Sequence, residues 1–147
     1  IDPDALPGSY RGTSLGLPKW VERATWTTFR KVFARGRGGT IGGWNVRVEQ
    51  EPPHHARLKG GKPWIFGHYE VTPLRPGECP IEVREGVLLD YGRGANPTID
   101  PTRIVRDPLV ALRPGSVDTL LGYTYVRVLG RSIGTPSWFL LEREADA

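Results

Sequence analysis

Residues 118–144, DTLLGYTYVRVLGRSIGTPSWFLLERE, constrain the fold more than any other stretch of the chain. Two runs dense in strand-forming residues, 120–129 and 137–143, are joined by the breaker-rich link GRSIGTP. A hairpin this long and this apolar is not stable alone in water, because a two-stranded ribbon has nothing to bury its apolar face against. The upstream chain must therefore supply a partner sheet.

The upstream residues read as more of the same material. After an irregular lead-in over 1–7, residues 23–34 (RATWTTFRKVFA) and 40–50 form a strand pair around the glycine-rich turn RGRGG. A single helical turn with Pro at its first position is expected at 18–22. Residues 63–73 (PWIFGHYEVTP) read as a third strand, 81–91 as a strand folded in two near Gly86, and 103–113 as a further strand. Pro108 demotes that last segment to an edge or bulged position. In the second strand Trp44, Val46 and Val48 alternate with Asn45, Arg47 and Glu49, which predicts an apolar inner face and a wet outer one.

Nineteen Gly and fourteen Pro are too many for long helices and suit short strands with tight turns. A chain of 147 residues fits one domain, 1–147, and buries ~70% of its unfolded surface, enough for a real core. No apolar run reaches the ~18 residues of a membrane span, and no signal-type apolar region is present. The net charge is +4, and Arg supplies sixteen of the 20 cations. These are scattered, with the densest cluster inside the RGRGG turn, so neither a nucleic-acid nor a membrane partner is expected. The lone Cys79 allows no intrachain disulfide and no CxxC-type metal site, which fits a cytoplasmic protein without metal or cofactor. Seven to nine short strands with Gly/Pro turns predict an all-β fold, a single closed antiparallel β-barrel of about eight strands with at most short helical turns.

Gly8-Ser9-Tyr10-Arg11-Gly12, a Gly-x-aromatic-x-Gly run ahead of an all-β meander, resembles the opening of lipocalin-type barrels, where the aromatic is Trp. The resemblance covers five residues and the strand rhythm. It implies a motif that closes one end of a barrel against its last strands, and an interior cavity without a specified ligand.

Metalloprotease, P-loop, nucleophile-elbow and dinucleotide signatures are absent. His54 and His55 are adjacent on an extended loop and point apart, a poor chelating pair. His68 and Glu70, two residues apart in a strand, form an acid–base pair if their face is interior and a solvated wall if it is not. Periodicity leaves the two open, because neither face of 63–73 is cleanly polar. Tyr125 joins His68 and Glu70 as a catalytic candidate. Trp44, Trp64, Phe66, Tyr91, Leu121 and Tyr123 are the candidates for lining a ligand chamber, since tyrosines offer an apolar ring and a polar tip. The 14 large aromatic rings exceed what a small barrel needs to fill itself. The expected function is enclosure of a small apolar or conjugated molecule by a cofactor-independent cyclase or isomerase, as in bacterial secondary metabolism. The alternative is a non-catalytic carrier. A homodimer is the candidate assembly.

Overall fold

The structure, a computed structural model, describes residues 1–16, 19 and 27–146. Eight strands form the barrel: β1 (Gly8–Leu15), β2 (Thr28–Arg35), β3 (Ile41–Val46), β6 (Ile65–Pro73), β7 (Val87–Asp90), β8 (Val105–Ala111), β9 (Thr119–Val128) and β10 (Arg131–Arg143). A two-stranded ribbon, β4 (Leu58–Lys59) and β5 (Lys62–Pro63), stands in the connection between β3 and β6. Each barrel strand pairs antiparallel with its neighbours in the ring β1-β10-β9-β8-β7-β6-β3-β2, so the meander closes on itself and leaves no edge. Short 3-10 turns occupy Pro3–Ala5, Arg37–Gly39 and Pro101–Ile104. The helical turn expected at 18–22 lies, apart from Lys19, outside the described residues, as does the first part of the strand expected from 23.

Closure happens where the sequence places it. Tyr10 pairs with Arg143 and Gly12 with Leu141, which joins the Gly-x-aromatic-x-Gly segment to the last strand. Tyr10 is fully buried, stands edge-on to Phe33 at 5.2 Å and donates its hydroxyl to the Leu6 carbonyl at 3.1 Å. Arg143 lies over the Tyr10 ring and donates to the carbonyls of Ala5 and Pro7. Leu6 from the lead-in, with Tyr10, Phe33, Ile41, Leu109, Leu120 and Leu141, fills this end of the barrel.

Two glycines admit the rings that fill the middle. Phe29 lies over Gly12 and Phe139 over Gly122, each ring in the space a Cβ would take. The two rings meet edge-on at 5.7 Å between centroids.

Several elements differ from expectation. The link GRSIGTP is mostly strand: β10 begins at Arg131, the turn is Leu129-Gly130, and the register shifts between Gly134 and Trp138. Of 81–91 only Val87–Asp90 is strand. Leu74, Cys79 and Ile81 fold against the outer wall on Leu88, Tyr123 and Tyr125, forming a second small core. Pro108 is not in an edge strand, because closure removes edges, and β8 is flanked by β7 and β9. The pairing of β8 with β9 skips Asp107 and Pro108 and resumes at Leu109 in unchanged register, so the missing proline N–H interrupts the ladder without a bulge. Asn45 turns inward and is buried, while Trp44 faces outward with Val32, the reverse of the expected assignment.

Substituting Gly12→Ala or Gly122→Ala forces a methyl into a phenyl ring and should lower unfolding free energy by about 1–3 kcal/mol. Urea denaturation with an unchanged slope checks this; a shift below ~0.5 kcal/mol at both sites would contradict the packing described.

Candidate functional site

The interior is not uniformly apolar. In β2 the inward positions read Phe29, Lys31 and Phe33, so a lysine with 2% exposure sits in the barrel between two phenylalanines. Its ammonium donates to Asn45 Oδ1 of β3 at 2.8 Å and to the Tyr91 hydroxyl at 2.6 Å, and pairs with Asp107 Oδ2 of β8 at 3.2 Å. These three partners use the three donors of a lysine. Tyr91 donates in turn to Asp107 Oδ2 at 2.9 Å, and Thr124 donates to Asp107 Oδ1 at 2.8 Å. The rings of Phe29, Tyr69, Tyr91 and Phe139 stand 5.1–5.7 Å from the ammonium, within cation–π range.

Burial shapes the protonation of this cluster. It pushes the Lys31 ammonium down, opposed by the neighbouring Asp107 charge. Burial, reinforced by Asp107, holds the hydroxyls of Tyr69 and Tyr91 well above the usual tyrosine range. Lone buried charges are strongly unfavourable, and here each is matched by an opposite charge and by hydrogen bonds.

Above this network the barrel is open. A cavity of about 220 Å³ occupies the end where β1 finishes and β6 begins, with Lys31, Asn45, Tyr91 and Asp107 as its floor. Phe29, Phe66, Val105 and Phe139 form its walls, and the hydroxyl residues Ser14, Thr102, Thr124 and Ser137 border it. A larger hollow of about 670 Å³ lies along 73–86, but its lining comes from that segment alone and lacks convergent buried polar groups. The interior cavity is the better site on chemical grounds.

Of the residues singled out from sequence, Phe66 and Tyr91 border this cavity. Phe66 faces inward because Gly67 adopts φ 57° and the β3–β6 register shifts opposite it. That irregularity resets the alternation, so Phe66 and Tyr69 face in while His68 and Glu70 face out. His68 lies beside Trp44, with ring centroids 6.3 Å apart, and Glu70 faces Arg93 at 3.6 Å. The two therefore do not project into the barrel. Trp64 is also outside, stacked between Arg47 and Lys59. Leu121, Tyr123 and Tyr125 occupy the outward face of β9, because Leu120 and Gly122 take the inward positions. Tyr123 accepts from the Thr135 N–H at 3.0 Å, and Tyr125 is buried beneath 74–81 with its hydroxyl pushed up to about 12, chiefly by burial. None of these three reaches the cavity lining.

Lys31, Asn45 and Asp107 were not visible from sequence as site residues. The spacing Phe29-x-Lys31-x-Phe33 was the available signal, a cation sharing a strand face with two phenylalanines. Arg106 and Asp107 are adjacent but part company: Arg106 bonds Asp90 at 3.1 Å and Asp107 faces the lumen. Among the described residues no group of three or more His, Cys, Asp or Glu is placed to hold a metal ion, and no helix is long and apolar enough to cross a membrane. No protein-family model matches the chain, and no curated protein matches it.

Lys31→Met alone strands Asp107 in the interior and should cost about 3–5 kcal/mol, whereas Lys31→Met with Asp107→Leu should recover most of that loss. Chemical denaturation of the three proteins checks it, and a double variant no better than the single would rule out a mutually dependent pair. Alkaline pH gives a second check. Unfolded tyrosine ionises near pH ~10 and folded Tyr69 and Tyr91 later, so their contribution is complete below ~10 and lost as pH rises through the folded values. Lys31 acts oppositely, since its lowered folded value makes stability rise with pH toward ~10. The urea midpoint should therefore hold or rise to about pH 10 and fall beyond it, less steeply in Tyr91→Phe.

Proposed function

We propose that this chain is a small-molecule-binding β-barrel that takes a compact, mostly apolar ligand into the open end, above the Lys31–Asp107 floor. The observation that carries this reading is the interior cavity of about 220 Å³, walled by phenylalanines and floored by a saturated polar network. An eight-stranded barrel has room for side chains or for one small ligand, and this one divides its lumen between the two. An apolar cavity of ~150 Å³ accepts benzene, so the volume here suits one substituted ring, not a long lipid chain. Pockets for drug-sized ligands start near ~300 Å³. The lipocalin-like resemblance points the same way as far as the closed barrel and its sealed end go.

Binding without chemistry accounts for the site most simply, because Lys31, Asn45, Tyr91 and Asp107 already satisfy one another. One observation favours a second reading, the cofactor-independent isomerase or cyclase. Lys31 and Tyr91, whose protonation burial shifts in opposite directions, both border the cavity, where a proton could be exchanged with a bound conjugated substrate. In that reading the acid–base work falls to Lys31 and Tyr91, and confinement supplies orientation.

Thermal shift with a panel of single-ring phenols, enols and enones tests both. A ligand at about a hundred times its Kd should stabilise the fold by about 2.7 kcal/mol. Ser137→Phe, which fills the mouth from an inward position of β10, should abolish the shift without lowering the Tm of the free protein. A shift that survives Ser137→Phe would place binding elsewhere. Ligand recovered chemically unchanged after long incubation supports the carrier, and a rearranged isomer of equal mass supports catalysis.

A further inference from the structure

The open end carries a surface pattern that the cavity does not use. Among the described residues three connections stand side by side around the mouth: 47–64 between β3 and β6, 91–104 between β7 and β8, and the β9–β10 turn. At or beside each, a pair of apolar side chains reaches solvent. They are Leu58 and Ile65 (63% and 41% exposed), Ile99 and Ile104 (94% and 41%), and Leu129 and Ile133 (97% and 51%). Scattered exposed hydrophobics are ordinary, but six on the adjoining tips of one end mark an interaction surface. Leu129 is the sharpest case. Its φ of 50° is the left-handed conformation that two-residue hairpin turns normally give to Asn, Asp or Gly, and its side chain gains no burial in return.

The same loops are basic. Arg57, Lys59 and Lys62 lie on the first connection, Arg93 and Arg103 on the second, and Arg127 and Arg131 flank the hairpin turn. The acidic groups on these connections are Glu49, Glu51 and Asp100; Glu49 pairs with Arg57 at 3.5 Å, Glu70 and Asp90 reach Arg93 from the strands at 3.6 and 3.8 Å, and Glu78 reaches Arg127 from the outer segment at 3.9 Å. At the sealed end the sign reverses. Across its connections and termini Asp2, Asp4, Glu82, Glu85, Asp118, Glu144 and Asp146 outnumber Arg37, Arg75, Arg84 and Arg113.

We infer that the open end of the barrel docks on the surface of an anionic lipid bilayer, with the cavity mouth toward the membrane. Protruding alkyl groups enter the boundary between headgroups and acyl chains, and the cations around them meet anionic headgroups. A nucleic acid or an acidic protein would use the charge but would leave Leu58, Ile99 and Leu129 without an apolar partner. This departs from the expectation of no membrane partner, because span-length hydropathy does not register single apolar residues at loop tips.

Cosedimentation of the intact chain tests the inference, with vesicles of phosphatidylcholine alone and of phosphatidylcholine mixed with phosphatidylglycerol. The chain should pellet with the mixed vesicles only, and less as salt is raised. Lys59→Glu with Lys62→Glu should lower the partition coefficient by about fivefold or more for each charge reversed. Leu129→Asn suits the turn better than leucine, so it keeps the fold and should still reduce binding severalfold. Pelleting with neither vesicle, or equally with both, overturns the inference. So does unchanged partitioning of Leu129→Asn, and equal affinity of wild type and Leu129→Asn for a short DNA duplex would then reassign the end to a polyanion. No cavity ligand is present in the assay, so its outcome is separate from that of the ligand-binding test.

Discussion

The ion pair between Lys31 and Asp107 is the constraint on which the interior depends. β2 and β8 are four places apart in either direction around the eight-strand ring, so the pair spans the lumen between opposite walls. A charge in that position is tolerable only if the opposing strand delivers its counter-charge, and Asn45 of β3 and Tyr91 after β7 complete the hydrogen bonding. The pair therefore ties burial of each wall to the placement of the other. It also divides the lumen, with apolar side chains packed on one side and the cavity on the other.

Absent side chains shape that lumen as much as present ones. Gly12 and Gly122 clear the space taken by Phe29 and Phe139, whose rings then flank the Lys31 ammonium. Gly67 clears another. Its left-handed backbone redirects Phe66 inward, and its carbonyl accepts from Asn45 at 3.0 Å, holding the amide toward Lys31. Outside, the 74–81 segment covers Tyr123 and Tyr125, so a run of large side chains that looks like a chamber wall in sequence belongs to a separate packing layer. The aromatic surplus is thus divided among an inner core, an outer core and the cavity wall, where Phe29, Phe66 and Phe139 stand.

The fold was legible from local signals. Strand-length apolar runs, Gly/Pro turns and a hairpin too apolar to stand alone lead to a closed barrel of about eight strands, and pairing of Gly12 with Leu141 closes it at the expected place. The site was far less legible. Of the sequence candidates Phe66 and Tyr91 border the cavity, whereas His68, Glu70 and Tyr125 lie outside the barrel and Lys31, Asn45 and Asp107 within it. Alternation assigns two faces to a strand but does not say which is inward when both are mixed, and one left-handed glycine exchanges them midway.

What the amino-acid sequence determined by itself is the all-β class and most of the barrel strands, because strand formation depends on side-chain type and on breakers a few residues away. What only the tertiary structure decided is which polar residues share the interior. That depends on ring order, register and the shift opposite Gly67, which bring Lys31, Asn45 and Asp107 from three strands, and Tyr91 from the turn after β7, to one point. Burial then turns that meeting into chemistry, because a lysine and a carboxylate in a dry lumen must pair, whereas the same residues on the outer wall would be solvated and independent.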